Sequence, residues 1–151
     1  PVEEEKLQKI LEAGNLAPTA VNKQPFHIWV LKSEEAMQKV SQTTSFIFGA
    51  PVAFVVGSKA EGAFVRSFDK KNFADVDASI VATHMMLEIE ALGLGTTWVG
   101  HFNAPKLKEL FPEMADYELV AIFPVGYPAE DAKPSARHAE QAGIEMIADW
   151  L

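Results

Sequence analysis

Ala17-Pro18-Thr19-Ala20-Val21-Asn22-Lys23-Gln24-Pro25-Phe26 is a short polar loop between two different periodicities, helical before it and strand-like after it. Upstream, Pro1 and the run Glu3, Glu4, Glu5 put a proline and negative charge where a helix N-terminus favours both. Leu7, Ile10, Leu11 and Gly14 then share one helical face. Pro18 ends that helix, since proline has no N–H and disfavours helix in the residue before it. Downstream, Phe26 to Leu31 is apolar on both faces, which predicts an interior strand. Polar loops held between rigid elements are where binding groups concentrate.

Further along, Ser33 is placed to cap a helix through about Gln42, with Ala36, Met37 and Val40 on one side. Val52 to Val56 predicts a second buried strand. From Gly57 to Val76 the pattern is irregular, with Phe64, Phe68 and Phe73 among charges, and reads as an excursion over the surface or over a ligand. Asp77 is expected to cap a helix from Ala78 to Leu92, which is apolar nearly all round and so is buried in a core or in a subunit interface. Gly93 sits where a left-handed cap belongs. Thr96 to Val99 predicts a third strand, Pro105 to Phe111 a short helix, Leu119 to Pro124 a fourth strand, and the residues from about Ala139 a last helix. By itself this alternation points to a parallel α/β sheet.

Composition narrows the partners. The 151 residues are 48% apolar, enough for a core and suited to one domain. A formal charge of −8 with scattered lysines disfavours nucleic acid. With no cysteine, disulfides, thiolate catalysis and zinc–cysteine sites are excluded, which is compatible with a reducing compartment. No stretch approaches the roughly 20 apolar residues that span a bilayer, and no charged-then-apolar leader is seen. The expectation is a cytoplasmic protein without membrane or nucleic-acid partners. His27, His84, His101 and His138 lack metal-ligand spacing, and Asp75 and Asp77 lack the glycine and closing glutamate of a calcium loop.

The opening loop, the run Gly93-Leu94-Gly95-Thr96-Thr97-Trp98-Val99-Gly100, and Gly126-Tyr127-Pro128 followed by Lys133 and Arg137 together resemble the FMN-dependent nitroreductase family in order and spacing, over almost the whole chain. The resemblance implies an α+β fold, a three-layer sandwich with a central mixed sheet flanked by helices, as one domain over residues 1–151 in an entwined homodimer with flavin at the subunit interface. It implies FMN as cofactor, NAD(P)H as electron donor and ping-pong reduction of nitroaromatics, quinones or similar flat acceptors. A flavin carrier or sensor, or a scaffold without efficient turnover, is the alternative. In the family an Arg-rich, Ser-containing motif that grips the FMN phosphate comes just before the position of Pro1, and these 151 residues hold no such motif.

The resemblance also assigns residues. An isoalloxazine ring needs hydrogen bonds to its pyrimidine edge, a donor near N5 and support for one face, while the flavin performs the redox chemistry. Pro18, Thr19, Ala20 and Asn22 occupy a pattern that lies against the flavin and ribityl chain, with Gln24 and Pro25 opening the next strand; an ordinary capped turn is the competing reading. The backbone N–H groups of Val99 and Gly100 are the candidates for N5, and Gly95 and Gly100 fit close approach of a flat ring to the backbone. The bland alternative is that Gly93 and Gly95 merely end a helix and open a strand. No helix follows this run to present its N-terminus to a pyrophosphate. Arg137, with Lys133 and Ser135 as helpers, is the candidate for the phosphate. Phe46 and Phe48 line the substrate face or pack at a strand edge. No side chain is assigned as acid, base, nucleophile or metal ligand. The short Gly57 to Val76 excursion suggests an open site with permissive acceptor choice.

Overall fold

The elements run α1 (Glu4–Leu16), β1 (Phe26–Leu31), α2 (Glu34–Ser41), β2 (Val52–Ser58), α3 (Ala74–Ala91), α4 (Ala104–Leu110), β3 (Glu118–Val125) and α5 (Ile144–Ile147) in a computed structural model that describes all of residues 1–151. Strand β2 is buried along its whole length between β1 and β3. Because side chains alternate across a strand, the sheet sorts the apolar residues into two layers. Val52, Phe54 and Val56 join Ala121, Phe123 and Val125 on the face covered by α1 and α3, through Leu7, Ile10, Val81, Met85 and Ile89. Ala53, Val55 and Ile122 face the other way, toward Leu31, Val40, Leu107, Phe111 and Met114. Each large side chain buried in these layers stabilises the fold by about 1.5–3 kcal/mol. The expected three-layer α+β arrangement is therefore present within the chain.

Local signals set several boundaries. Ser33 Oγ accepts from the Ala36 N–H at 3.1 Å and starts α2. Gly93 takes φ +72°, which lets the Leu94 N–H reach back to the Ile89 carbonyl at 3.1 Å and close α3. The start of α1 is tied to the chain after β3: the Tyr127 hydroxyl lies 2.8 and 2.7 Å from the two Glu3 carboxylate oxygens. That bond holds the Glu3 carboxyl below its usual range.

Other expectations are corrected. Both ladders are antiparallel, so the sheet within the chain is not mixed. Strand β1 pairs only with β2 and is therefore an edge strand, half-buried over most of its length, with Trp29 and Tyr117 packed edge to face at 4.9 Å over one side of it. Gly57 makes room for that cluster, since a Cβ there would stand 2.9 Å from the Trp29 ring. Thr96 to Val99 forms no continuous strand. Gly95 pairs with Gly126 and Val99 with Ile122, and the same register puts Thr97 opposite Pro124, whose missing N–H breaks the ladder between them.

Helix α3 begins at Ala74 and not at Ala78, because Asn72 Oδ1 accepts the Ala74 N–H at 2.9 Å. Asp77 thus lies inside the first turn instead of capping it. The residues from Ala139 hold only the single turn α5. From Tyr127 onward every residue except Gly143 is exposed, and a short helix with nothing packed on it is marginal.

Candidate functional site

The opening loop is held in an unusual backbone conformation. Val21, Asn22 and Gln24 take φ of 45°, 55° and 52°, in the left-handed region that non-glycine residues seldom adopt. Such positions cost of order 1–3 kcal/mol each and persist where surrounding bonds impose them. Here the bonds are visible. The Gln24 N–H donates to Thr19 Oγ1 at 3.0 Å, the Asn22 N–H to the Thr19 carbonyl at 3.0 Å, and the Gln24 side-chain amide to Asn22 Oδ1 at 3.1 Å. The Ala20 N–H donates to Asp77 Oδ1 at 3.0 Å, which fixes the loop to the first turn of α3. Pro18, Asn22 and Gln24 are exposed, and Thr19 and Ala20 half-exposed. The Asn22 NH2 group makes no bond within the chain, so it remains free to donate outward.

A second cluster forms around the segment after Trp98. Val99 is buried and its N–H donates to the Ile122 carbonyl at 3.0 Å, so that N–H is committed to the sheet. The neighbouring Gly100 N–H bonds to nothing in the chain. A Cβ at Gly100 would meet no atom within 4 Å, so neither packing nor a left-handed backbone requires glycine there. Gly95 differs: a Cβ would come within 3.3 Å of Pro128, which accounts for it by packing alone.

Beside Gly100, the Thr44 hydroxyl donates to the His101 carbonyl at 2.9 Å and accepts from the Phe46 N–H at 3.2 Å, while the Asn103 N–H donates to the Thr43 carbonyl at 2.8 Å. These bonds fasten the turn before β2 to the Gly100 segment. Phe46 stands 6.0 Å from Phe48 and 6.2 Å from His101 between ring centroids, and all three rings are exposed. Phe48 itself takes φ +55°. Phe48 and Ile47 line a cavity of about 590 Å³ that runs along Met37 and Ser41 of α2. Gln24 and Lys23 line a smaller one of about 180 Å³, with Lys59 and Tyr117.

The two clusters do not meet in one chain. The loop enters β1 beside Ser58 and Glu118, whereas Gly100 follows the residue paired with Ile122 on the far edge of the sheet. Three strand spacings, about 14 Å, separate those edges before any offset along the strands. Lys133, Ser135 and Arg137 are exposed and stand apart from both clusters: Ser135 Oγ accepts from the Arg137 N–H at 3.4 Å, and none of the three makes an ion pair or hydrogen bond to either cluster. Sequence reasoning missed two participants. In the sequence His101 shows only a lack of metal-ligand spacing and Asp77 the position of a helix cap without a calcium-loop pattern, because a bond spanning 57 residues leaves no local signature.

Comparison with known proteins bears on the family and the fold. The Nitroreductase family pattern matches residues 1–45 and 42–127. A protein of Methanothermobacter thermautotrophicus, provisionally named NADH dehydrogenase/NAD(P)H nitroreductase, is 30% identical over 138 residues, covering 86% of this chain and 69% of its own length. A crystal structure of a nitroreductase family protein from Clostridium difficile 630 superposes with a TM-score of 0.89 at 34% identity, covering 99% of this chain and 87% of that one. A nitroreductase-like structure from Exiguobacterium sibiricum, described as a complex with FMN, shares the fold with a TM-score of 0.84 at 21% identity, covering 99% and 88%. The chain belongs to the nitroreductase family.

Proposed function

We propose that this protein is an FMN-dependent oxidoreductase that takes electrons from NAD(P)H and delivers them to nitroaromatics, quinones or similar flat acceptors at one open face of the cofactor. The observation that carries the reading is the unbonded Gly100 N–H, on a residue with open space where a Cβ would stand and with the exposed rings of Phe46, Phe48 and His101 beside it. FMN, when bound, supplies a two-electron carrier that is reduced by one substrate and reoxidised by the next. The chain supplies position and polarity. Gly100 N–H is the main-chain donor for the ring, and the Asn22 amide with the Thr19 hydroxyl donates to its polar edge and side chain. Phe46 and Phe48 form an apolar wall that excludes water and accepts a flat aromatic molecule by stacking.

Because the two clusters lie on opposite edges of the sheet, we place each site between two copies of the chain, with Thr19–Gln24 of one protomer facing Gly100 and the phenylalanines of its partner. The exposed apolar tail, with Ile144, Met146, Ile147 and Trp150, favours the same homodimer by offering surface that its own chain does not cover. No helix is long and apolar enough to cross a membrane, and we place the protein in the cytoplasm.

The test is direct. Purified protein should be yellow, release FMN on denaturation and bleach within seconds of adding NADH or NADPH. Colour without bleaching would favour a carrier or sensor, and a colourless protein that FMN cannot reconstitute would end the cofactor reading. Arg137 is the proposed phosphate partner. Arg137→Ala should weaken FMN by about 1.5–3 kcal/mol and leave riboflavin affinity nearly unchanged, as read by fluorescence titration of both ligands. Equal losses for the two would remove Arg137 from the phosphate.

A further inference from the structure

We propose that Asp77 is a positioning residue for the flavin-facing loop, holding Thr19–Gln24 in its left-handed conformation from below; this rests on the reading that the loop meets FMN. Asp77 is only 1% exposed, in the first turn of α3, where its Oδ1 takes the Ala20 N–H at 3.0 Å. Its Oδ2 is buried and meets no donor of the chain. A buried carboxyl with one orphaned oxygen is a poor choice for stability alone, because a half-satisfied polar group costs more than an apolar one of like shape. Its neighbour Asp75 is satisfied by the Ser58 hydroxyl, so the first turn of α3 is not uniformly starved of donors.

What Asp77 does accomplish is local. Ala20 begins the helical turn Ala20–Asn22, and the residues that follow it, Val21, Asn22 and Gln24, are the left-handed ones. A β-branched residue such as Val21 is the least suited to that region. Pinning the N–H of Ala20 leaves the next turn only the arrangement that Thr19 Oγ1 can close on Gln24. Buried at 1% exposure, Asp77 offers no surface to a ligand or substrate. It acts through Ala20, setting the direction in which the Asn22 amide points.

The experiment uses the apo protein and the FMN-loaded protein side by side. In Asp77→Ala the Ala20 amide should exchange with solvent at least about tenfold faster, and FMN should bind at least about tenfold more weakly. The melting temperature should stay within a few degrees of wild type. Asp77→Asn keeps an acceptor at the same place and should restore both exchange and FMN affinity to within about threefold. Ala20→Pro removes the donor without touching α3. Thr19 already has the extended backbone, φ −130° and ψ 157°, that the residue before a proline requires. It should reproduce the loss of FMN, and it decides the matter if Asp77→Ala does not fold.

Unchanged Ala20 exchange in Asp77→Ala would overturn the proposal, as would full FMN affinity in Ala20→Pro or a failure of Asp77→Asn to rescue. Should wild type itself not bind FMN, the site reading falls while the clamp is still judged: faster Ala20 exchange in apo Asp77→Ala upholds it, and unchanged exchange overturns it.

Discussion

Gly100→Val is expected to weaken flavin retention sharply while leaving the fold intact. A Cβ at this position meets no atom of the chain within 4 Å, and the backbone is not in the left-handed region, so the apo protein has room for valine. A planar ring held by the Gly100 N–H would instead contact the backbone at about 3.5 Å, the space that the two γ-methyls would fill. Forcing such an overlap costs about 1–3 kcal/mol in a packed site, so FMN affinity should fall about five- to 150-fold. Riboflavin should lose as much as FMN, because the clash is with the ring and not with the phosphate. That contrast separates Gly100 from Arg137. Thermal melting of the apo variant and titration with both flavins are the measurements. A variant that purifies fully yellow would show that the ring does not lie against Gly100, and the aromatic wall of Phe46 and Phe48 would lose its assigned role with it.

Strand β1 shows how far the sequence carries the fold. Its limits, Phe26 and Leu31, are legible because a near-continuous apolar run set between Pro25 and Ser33 determines them. Its place in the sheet is not, since two apolar faces suit an interior strand equally well and only the strand order, with β2 on one side of it alone, shows it to be an edge. Pro124 makes the same point from the other side of the sheet. Read alone it closes β3, whereas in the fold it also interrupts pairing with Thr97 opposite.

The candidate site divides in the same way. Thr19, Asn22 and Gly100 lie within motifs and can be read off directly. The engagement of the Val99 N–H by Ile122, the hold of Asp77 on Ala20 and the separation of the two clusters all depend on residues distant in the chain. No periodicity encodes those contacts. The tail is the converse case. Its composition permits a helix from Ala139, yet without a surface to pack on only one turn forms, because helix stability at that length comes from burial.

Leu87→Glu should convert the protein to a colourless monomer. Val76, Thr83 and Leu87 recur at helical spacing on the exposed side of α3, opposite its core residues Ala78, Val81, Met85 and Ile89, with half-buried Ile80 between them, and Leu87 is 63% exposed. The Ala20–Asp77 bond brings exposed Val21 to the same end of the helix as Val76, and Leu16, 80% exposed, lies at the end of α1, which packs on α3. An apolar stripe continuing into the Thr19–Gln24 loop is the surface a second copy would need to cover. In a two-fold dimer the same patch serves both protomers, so the substitution puts two carboxylates into one junction. Desolvating an unpaired charge costs several kcal/mol, enough to raise the dimer dissociation constant about a thousandfold or more. The side chain is solvent-facing within its own chain, so the far-ultraviolet circular dichroism of the variant should match wild type. Light scattering behind size exclusion reports the mass, and absorbance near the flavin band reports the cofactor in the same run. Loss of dimer and flavin together is the expected result, because the proposed site draws one cluster from each protomer. A variant that is monomeric and still yellow would place the whole site within one chain, and a variant that remains dimeric would move the interface off α3.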